Sequence, residues 1–262
     1  MRMMAAARWL LTAMVLTASV IVVAPGSSYS DQDRAAPMAP ASSSHPAGTD
    51  ALGRDRIIRV AAALLLSLVG SIAASAAATV AAAGVGTLAA LGPRRVGRLT
   101  MLLCDVFLSL PWLFLLMMIR SALPLTTSPA HSAALTFLVF AALGWPACAQ
   151  AVYRGVQKLR QAEWMLHARA MGLRRTQVFR NIIPHLFPLL LPQFLVCIPA
   201  FIISEANLGA IGLGIGEPLP SWGGMLHEMD NSATLQQSSW VYFPIVLLAL
   251  VLLLLETTTV EA

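Results

Sequence analysis

The side chains most able to do chemistry in this sequence form none of the common catalytic or metal-binding motifs. The cysteines Cys104, Cys148 and Cys197 stand in apolar stretches without a CxxC pair, which is typical of small buried hydrophobic residues. The histidines are scattered, and neither HExxH nor GxSxG is present. Lys158 is the single lysine and follows no glycine-rich turn, so the chain lacks a GxxxxGK[ST] phosphate-binding loop. We therefore expect no catalytic residue, metal or cofactor, and any ATP must be bound by another chain.

Charged residues are few and bunched. The chain has 262 residues, of which 58% are hydrophobic and only 11% are charged, whereas soluble proteins carry about 25% charged residues. Uncharged runs cover residues 60–93, 121–153, 181–204 and 231–255, and about 20 apolar residues suffice to cross a bilayer as a helix. The net charge of +5 is more typical of basic residues beside membrane spans than of nucleic-acid binding. The composition indicates a polytopic membrane protein.

These runs predict an all-α membrane protein with six transmembrane helices. The first span, at residues 9–23, is favoured as an uncleaved anchor; a cleaved signal peptide is the alternative, although proline follows the candidate cut. The second, within residues 60–92, is so rich in small residues that neighbouring helices can approach closely. The other spans are predicted at residues 99–119, 133–152, 186–204 and 240–255. The predicted domains are an N-terminal anchor at 1–24, an extracytoplasmic linker at 25–56, a five-helix core at 57–256 and a cytoplasmic tail at 257–262.

Basic residues predict the orientation of these spans. One short loop holds Arg94, Arg95 and Arg98, and residues 154–180 hold seven basic residues against one acid. The loops at residues 121–132 and 205–239 hold no Lys or Arg, and the second of them is acidic. The positive-inside rule then places both termini and both basic loops in the cytoplasm.

The segment between the fourth and fifth spans predicts two short helices. Residues 163–172 form an amphipathic pattern that ends at Gly172, which suits a left-handed helix cap. A second helix is predicted from residue 174 to residue 183, where Pro184 follows. A basic flank that only sets topology is the alternative, but a helix–turn–helix is more than topology requires.

Several blocks of the sequence resemble the permeases of binding-protein-dependent ABC importers, in particular the C-type subunits of dipeptide, oligopeptide and nickel systems. Residues 48–55 resemble their GTDxxGRD block, and residues 205–226 resemble EASLSFLGLG followed by PxPSWGxML. Residues 168–184 resemble their cytoplasmic signature, residues 105–111 resemble DxxLSLP, and residues 144–146 match GWP. The blocks occur in the family's order. The signature's Glu and first Ala, however, fall on Leu166 and His167, and the spacing from Gly172 to Pro184 is one residue shorter than usual.

The resemblance implies a subunit of a larger machine in a bacterial-type inner membrane. Its partners would be a second homologous permease, two ABC ATPase subunits and an extracytoplasmic solute-binding protein. The loop would dock on an ATPase, and the residues assigned to this coupling are Glu163, Ala168, Arg169, Gly172, Arg174, Arg175 and Pro184. Peptides are the commonest substrates of the family, and nickel complexes or similar solutes are the alternative substrates.

Two residues of the third span have a possible role in the pathway. Asp105 is predicted to be the one acid inside a span, where a carboxylate usually faces protein or water. It would serve a pathway or an inter-span hydrogen bond, or else reach the cytoplasmic interface. Pro111 is predicted to kink the same helix. The four prolines of the fifth span suit a bending, cavity-lining helix, and an irregular packed helix is the alternative.

The glycine-rich stretch at residues 205–226 is predicted to be a compact outer gate or a docking site for the binding protein. Its candidate gate residues are Glu205, Gly212, Gly214 and Trp222, although Trp222 would serve equally as an interfacial anchor. Before the second span, Asp50, Arg54 and Asp55 are expected either to form ion pairs or to face water. Exposed pairs are worth about 0–1 kcal/mol, so a positional role is favoured.

Two other function classes compete with an ABC permease. An ion-gradient-driven secondary transporter or channel would favour inverted repeats and more charge inside the membrane, and no convincing repeat is found. An intramembrane enzyme is disfavoured because its motifs are missing.

Overall fold

The described structure is mainly helical. In the computed structural model, structure is described for residues 2–25, 28–122, 128–163, 165, 167, 171–172, 175–230 and 242–259. Eight α-helices and one 3-10 helix are described, in the order α1 Arg2–Val23, α2 Arg56–Leu91, α3 Arg94–Ser109, α4 Trp112–Ala122, α5 Pro129–Gln161, α6 Arg175–Ala210, α7 Trp222–His227, the 3-10 helix Glu228–Asp230 and α8 Phe243–Thr259. An isolated β-bridge joins Thr49 to Asp55. The predicted all-α class is confirmed.

Helix α2 is the centre of the bundle. It contacts α1, α3, α5, α6 and α7, and residues of α2 enter all three hydrophobic clusters of the described core. Its 36 residues form one uninterrupted helix. Because most of its buried residues are Ala, Ser or Thr, the neighbouring helices reach its backbone closely.

The closest helix contacts are made at glycines. A Cβ on Gly86 of α2 would lie 2.6 Å from the carbonyl oxygen of Ala149 on α5. A Cβ on Gly144 of α5 would lie 2.6 Å from the ring of Phe201 on α6. These positions therefore tolerate no larger side chain without a shift of the helices, and they fix how α2, α5 and α6 pack.

The predicted third span is two helices rather than one. Helices α3 and α4 meet at an angle of 87°, and Pro111 lies between them with its carbonyl oxygen accepting from the N–H of Leu115. Proline removes a backbone donor and clashes with the preceding turn, so the predicted kink at Pro111 is confirmed as a full break.

The predicted break at Pro184 is wrong. Helix α6 runs without interruption from Arg175 to Ala210 through four prolines. Pro184, Pro188 and Pro192 are four residues apart, so the hydrogen bonds that they remove all lie near one face of the helix. The opposite face keeps its bonds, and the helix continues. The separate second coupling helix and the fifth span are therefore parts of one helix.

The apolar helices fit a membrane protein. Four described helices have the length and hydropathy to cross a bilayer, namely the apolar parts of α1, α2, α5 and α6. The bent pair of α3 and α4 makes a fifth if it is one span. Helix α8 is apolar but has only 17 residues, and it extends to Thr259, into the predicted tail.

Candidate functional site

Two segments that are far apart in the sequence meet where α2 begins and α6 ends. We call this region the cap and define it as residues 45–59 together with residues 204–230. The cap contains Asp50, Arg54, Asp55 and Glu205, four charged residues of the sequence blocks that resemble the permease family. It also contains the other predicted gate residues, Gly212, Gly214 and Trp222. Its core is a cluster of buried charges.

Two arginines at the start of α2 hold three carboxylates in this cluster. Arg54 Nε donates to Asp50 Oδ2 at 2.6 Å, and Arg54 Nη1 donates to Glu217 Oε2 at 2.5 Å. Arg59 Nη2 donates to the other oxygen of Glu217 at 3.0 Å. Glu228 Oε1 lies 3.8 Å from Arg54 and 3.7 Å from Arg59. We call Asp50, Arg54, Arg59, Glu217 and Glu228 the ion cluster.

Asp50, Arg54 and Arg59 are buried, so the structure shows the ion pair that was one alternative for Asp50 and Arg54, while the assumption that the pair is exposed is wrong. Asp50 and Arg59 are each 2% exposed and Arg54 is 5% exposed, so the value of about 0–1 kcal/mol for exposed ion pairs does not apply to them. Buried ion pairs have a high desolvation cost, and removing one partner is strongly destabilising. The Glu217 side chain is half exposed and closes the cluster on the solvent side.

Burial and neighbouring charges shift the pKa values of Arg54 and Glu228 in the cap. Burial acts to lower the pKa of Arg54, but hydrogen bonds from Arg54 to Glu217 and Asp50 outweigh burial and raise it. Burial raises the pKa of Glu228, and the nearby Arg59 charge opposes this shift. Arg56 adds a third positive charge nearby and donates from Nε to the carbonyl oxygen of Thr49 at 2.9 Å, so three arginines face three acids.

The turn before α2 explains why the sequence places these charges together. Asp50 Oδ1 accepts from the backbone N–H groups of Leu52 and Arg54, which closes a tight turn with Gly53 at a φ of 77°. Asp55 then caps α2 by accepting from the N–H of Ile57 at 2.8 Å. The predicted positional role of Asp55 therefore takes the form of a helix N-cap.

Glu205 is the second buried acid of the cap. It is fully buried, and its Oε2 accepts from the Ser67 hydroxyl of α2 at 3.0 Å. The Ser221 hydroxyl and the backbone N–H groups of Trp222 and Gly223 face the same carboxylate, while its Oε1 has no hydrogen-bond partner among the described residues. Because α6 extends to Ala210, Glu205 lies inside a helix, and the prediction that Asp105 is the only acid in a span is wrong.

The end of α6 is a glycine-built turn. Gly212 has a φ of 79°, its N–H donates to the carbonyl oxygen of Gly209, and the next N–H, of Leu213, donates to the carbonyl oxygen of Leu208. This pair of bonds is a Schellman motif, which needs a left-handed residue. Gly212 is therefore a helix cap, and glycine adopts its left-handed conformation more readily than a residue with a side chain does.

Three glycines let the chain pack backbone against backbone in the cap. A Cβ on Gly209 would lie 2.3 Å from Gly223 Cα, and a Cβ on Gly214 would lie 2.4 Å from Gly209 Cα. Trp222, next to this contact, is 1% exposed and packs with the core residues of α2 and α8. Its burial does not fit the alternative of an interfacial anchor.

Arg120 is a buried charge that the sequence analysis did not single out. It lies at the end of α4, is 1% exposed, and donates to the carbonyl oxygens of Leu213 and Gly214, each at 3.0 Å, and to the Ser132 hydroxyl. It thereby ties α4 and α5 to the turn that ends α6.

The residues that sequence reasoning missed in the ion cluster are Arg59, Glu217 and Glu228. A signal for them was present, because Arg59 immediately precedes a long uncharged run on the side of the membrane that the positive-inside rule leaves poor in arginine. Such an arginine needs acids, and the acidic loop at residues 205–239 was the place to seek them. Among the described residues, no group of three His, Cys, Asp or Glu side chains suits a metal ion.

The predicted coupling segment is described only in part. Glu163 and Gly172 are exposed, and Gly172 has a φ of 85°, so its predicted left-handed conformation is confirmed. Pro184 is exposed within α6. Ala168, Arg169 and Arg174 lie outside the described residues, as does the side chain of Arg175.

Met165 anchors this segment to the bundle. Met165 is fully buried and packs in the same hydrophobic cluster as Val156 of α5 and Ile182 of α6. Met165 is therefore held against two helices, while Glu163 and His167 are exposed.

Asp105 connects two helices. It lies on α3 and is exposed, and its Oδ1 accepts from Gln150 Nε2 of α5 at 2.6 Å. Arg154 Nη2 in turn donates to Gln150 Oε1 at 3.3 Å. Of the alternatives for Asp105, the structure shows the inter-helix hydrogen bond.

The chain matches known proteins over most of its length. Residues 82–259 match the family model described as "Binding-protein-dependent transport system inner membrane component". An oligopeptide transport system permease protein, OppC, of Escherichia coli strain K12 is 32% identical over 238 residues, covering 88% of this chain and 76% of that protein. The proteins of the same name from Salmonella typhimurium and Haemophilus influenzae are 32% and 28% identical, covering 76% and 79% of this chain and 64% and 65% of their own lengths.

The chain thus spans about 65% of the length of many curated relatives that it matches. The matched region begins in the second half of α2 and includes the coupling segment, α6 and the second part of the cap. The apolar helices and the family match agree, and the chain belongs to the family of binding-protein-dependent transport system inner membrane components, as a multi-pass protein of the bacterial inner membrane.

Proposed function

We propose that this chain is the transmembrane permease subunit of an ATP-driven ABC importer. The observation that carries the proposal is the family match over residues 82–259, which includes the segment expected to contact an ATPase. With a second homologous permease it would form the translocation path. Two ABC ATPase subunits and an extracytoplasmic solute-binding protein would complete the complex, which as a whole would hydrolyse ATP, whereas this chain would be a non-enzymatic subunit.

The proposed topology has six spans with both termini in the cytoplasm. The charges support it, because Arg94, Arg95 and Arg98 lie at the end of the bundle opposite to the cap. The bent pair of α3 and α4 would be one span and α8 the last. The packing of α1 against α2 and α8 supports an N-terminal anchor at residues 1–24, followed by an extracytoplasmic segment at 25–56, a core at 57–256 and a tail at 257–262.

The proposed site of ATPase coupling is the cytoplasmic segment from Glu163 to Pro184. Its left-handed Gly172 supports a sharp turn that a rigid ATPase groove would receive, and the buried Met165 would transmit the motion of that turn to α5 and α6. Ala168, Arg169, Arg174 and Arg175 complete the proposed contact surface. In alternating access, such rigid pieces rock the helices between inward-open and outward-open arrangements.

The proposed outer gate is the cap. Glu205, Gly212, Gly214 and Trp222 would shape its closed form, and Asp50, Arg54 and Asp55 would fix it to the start of α2. The ion cluster supports this role because it joins the turn before α2 to the loop after α6, so the gate would move as one piece. Asp105 and Pro111 are proposed to belong to the pathway through the bent pair.

The proposed substrates are peptides. The relatives named as oligopeptide permeases support this class, and nickel complexes or similar solutes are compatible with the family. Because the binding protein is expected to select the substrate, the permease would set the width of the path. An ion-gradient-driven transporter or channel is not favoured by the family match.

The coupling assignment is tested with two substitutions at one position. Gly172→Leu forces a bulky residue into a left-handed conformation, whereas Gly172→Asn has a side chain that tolerates it. In the reconstituted complex with its ATPases and binding protein, we expect Gly172→Leu to hydrolyse ATP without peptide import and Gly172→Asn to retain coupled import. Normal import by Gly172→Leu would exclude the proposed docking.

A further inference from the structure

A polar cleft lies at the end of the bundle opposite to the cap. It has a volume of about 400 Å³ and lies between the end of α2, the start of α3 and the last turns of α5. Among the described residues, its lining has two small residues and five polar or charged side chains, namely Ala89, Gly92, Arg94, Tyr153, Gln157, Arg160 and Gln161. The cleft belongs neither to the cap nor to the coupling segment.

The lining is positively charged and rich in hydrogen-bond donors. Arg94 of α3 and Arg160 of α5 approach it from different helices, and none of the lining residues that the structure describes is acidic. Arg160 is held in place because its Nη1 donates to the carbonyl oxygen of Ala90 in the last turn of α2. Guanidinium, phenol and amide groups together suit a phosphate, which accepts several hydrogen bonds and pairs with the arginine fork.

An apolar surface begins at the edge of this cleft. Gly92 lines the cleft, and a Cβ on it would lie 4.0 Å from Val96 of α3. Val96, Leu99 and Leu103 are exposed and follow one another at helical spacing along α3. A molecule with a phosphate in the cleft would therefore find an apolar surface that runs away from it along the bundle.

We propose that this cleft binds the phosphate headgroup of an anionic phospholipid, with the acyl chains lying along the exposed face of α3. A charged pocket joined to a lipid-facing apolar stripe favours a membrane lipid over a free anion, since basic pockets between transmembrane helices bind acidic headgroups. The inference needs only the location of the chain in a membrane, so it stands or falls independently of the proposed ATPase coupling.

The test uses the chain purified with whatever subunits accompany it, in nanodiscs of phosphatidylcholine with increasing fractions of phosphatidylglycerol. Lipid that stays bound after release into detergent is counted by native mass spectrometry. The test variant is Arg94→Gln, and the matched control is Arg95→Gln, an exposed arginine beside it that does not line the cleft. We expect Arg94→Gln to weaken retention of phosphatidylglycerol about fivefold and Arg95→Gln to leave it unchanged.

A second variant distinguishes the planar hydrogen-bond donors of an arginine from its positive charge. Arg160→Lys keeps the positive charge but loses the planar donors, so we expect it to weaken retention as well. Equal losses in Arg94→Gln and Arg95→Gln would mean diffuse surface charge and would overturn the proposal. Displacement of the lipid by inorganic phosphate alone would show a free-anion site and would overturn it too, as would equal retention of phosphatidylcholine.

Discussion

Asp50 is the residue on which the ion cluster depends, because both of its carboxylate oxygens are engaged. Oδ1 accepts from two backbone N–H groups of the turn, and Oδ2 accepts from Arg54 Nε. Arg59 Nε lies 3.5 Å from the same Oδ2. An amide in place of this carboxylate has to turn a donor toward another donor, and it leaves two buried guanidinium groups with less negative charge.

We predict that Asp50→Asn destabilises the cap by about 3–5 kcal/mol, the usual cost of breaking a buried ion pair. Thermal unfolding in detergent, followed by tryptophan fluorescence, measures the loss, since Trp222 is buried in the cap. Asp31→Asn is the matched control, because Asp31 is exposed in the same segment. If the two variants have the same melting temperature, the ion cluster does not stabilise the fold.

Glu228 gives the cap a dependence on pH. Burial raises its pKa, so the folded chain holds this proton more tightly than the unfolded chain does, and Arg59 and Arg54 reduce the shift while Asp50 adds to it. The stability of the folded state therefore falls as the pH rises from the ordinary glutamate value of about 4.3 to the raised pKa, and this contribution is constant above it.

We expect the Glu228→Gln variant to lack this decrease in folded-state stability with rising pH. Melting temperatures of the wild type and of Glu228→Gln, measured across the mildly acidic range, should diverge as the pH rises, with the wild type losing stability relative to the variant. Glu163→Gln, at an exposed position far from the cap, should follow the wild-type curve in parallel. Parallel curves for the wild type and Glu228→Gln would show that Glu228 does not titrate as proposed.

At the scale of elements, the end of α6 depends on backbone contact between Gly209 and Gly223. A methyl group on Gly209 would lie 2.3 Å from Gly223 Cα, and backbone cannot give way as a flexible side chain does. We predict that Gly209→Ala destabilises the cap by about 1–3 kcal/mol, the range found for overpacking, and slows import in proportion to the loss of closed gate.

The control for this change lies in the same loop. A Cβ on Gly216 would meet no atom within 4 Å, so Gly216→Ala should leave the melting temperature unchanged or raise it slightly through the unfolded state. Thermal unfolding of both variants side by side decides the matter. A Gly216→Ala variant as unstable as Gly209→Ala would assign the effect to loop flexibility rather than to close packing.

Elements that depend on one local signal were predictable from the sequence. Gly172 at the end of an amphipathic pattern indicated a left-handed cap, and Pro111 indicated a break, and both are found. Helix α6 was not predictable in the same way, because Pro184 alone predicts a stop, whereas three prolines on one face leave the other face intact. The ion cluster was missed because Arg54 and Arg59 are separated from Glu217 by 163 and 158 residues, a distance that no local pattern bridges.

At the scale of the whole molecule, the charges of both ends agree with one orientation. At the end with the cap, Arg54 and Arg59 pair with acids in a buried cluster, whereas Arg120 donates to backbone carbonyl oxygens. The opposite end exposes Arg94, Arg95 and Arg98. The positive-inside rule counts basic residues near the ends of spans, and the exposed arginines of this end agree with its proposed location in the cytoplasm.

This orientation is testable with single added cysteines, because the three native cysteines are buried and free. Ser44 lies in the segment before α2, Arg98 at the start of α3 and Glu163 after α5, and all three are exposed. A membrane-impermeant maleimide applied to spheroplasts should label Ser44→Cys at once. It should label Arg98→Cys and Glu163→Cys only after permeabilisation, while the chain without an added cysteine stays unlabelled. Labelling of Arg98→Cys in sealed spheroplasts would reverse the topology, and would move the proposed ATPase contact to the wrong side of the membrane.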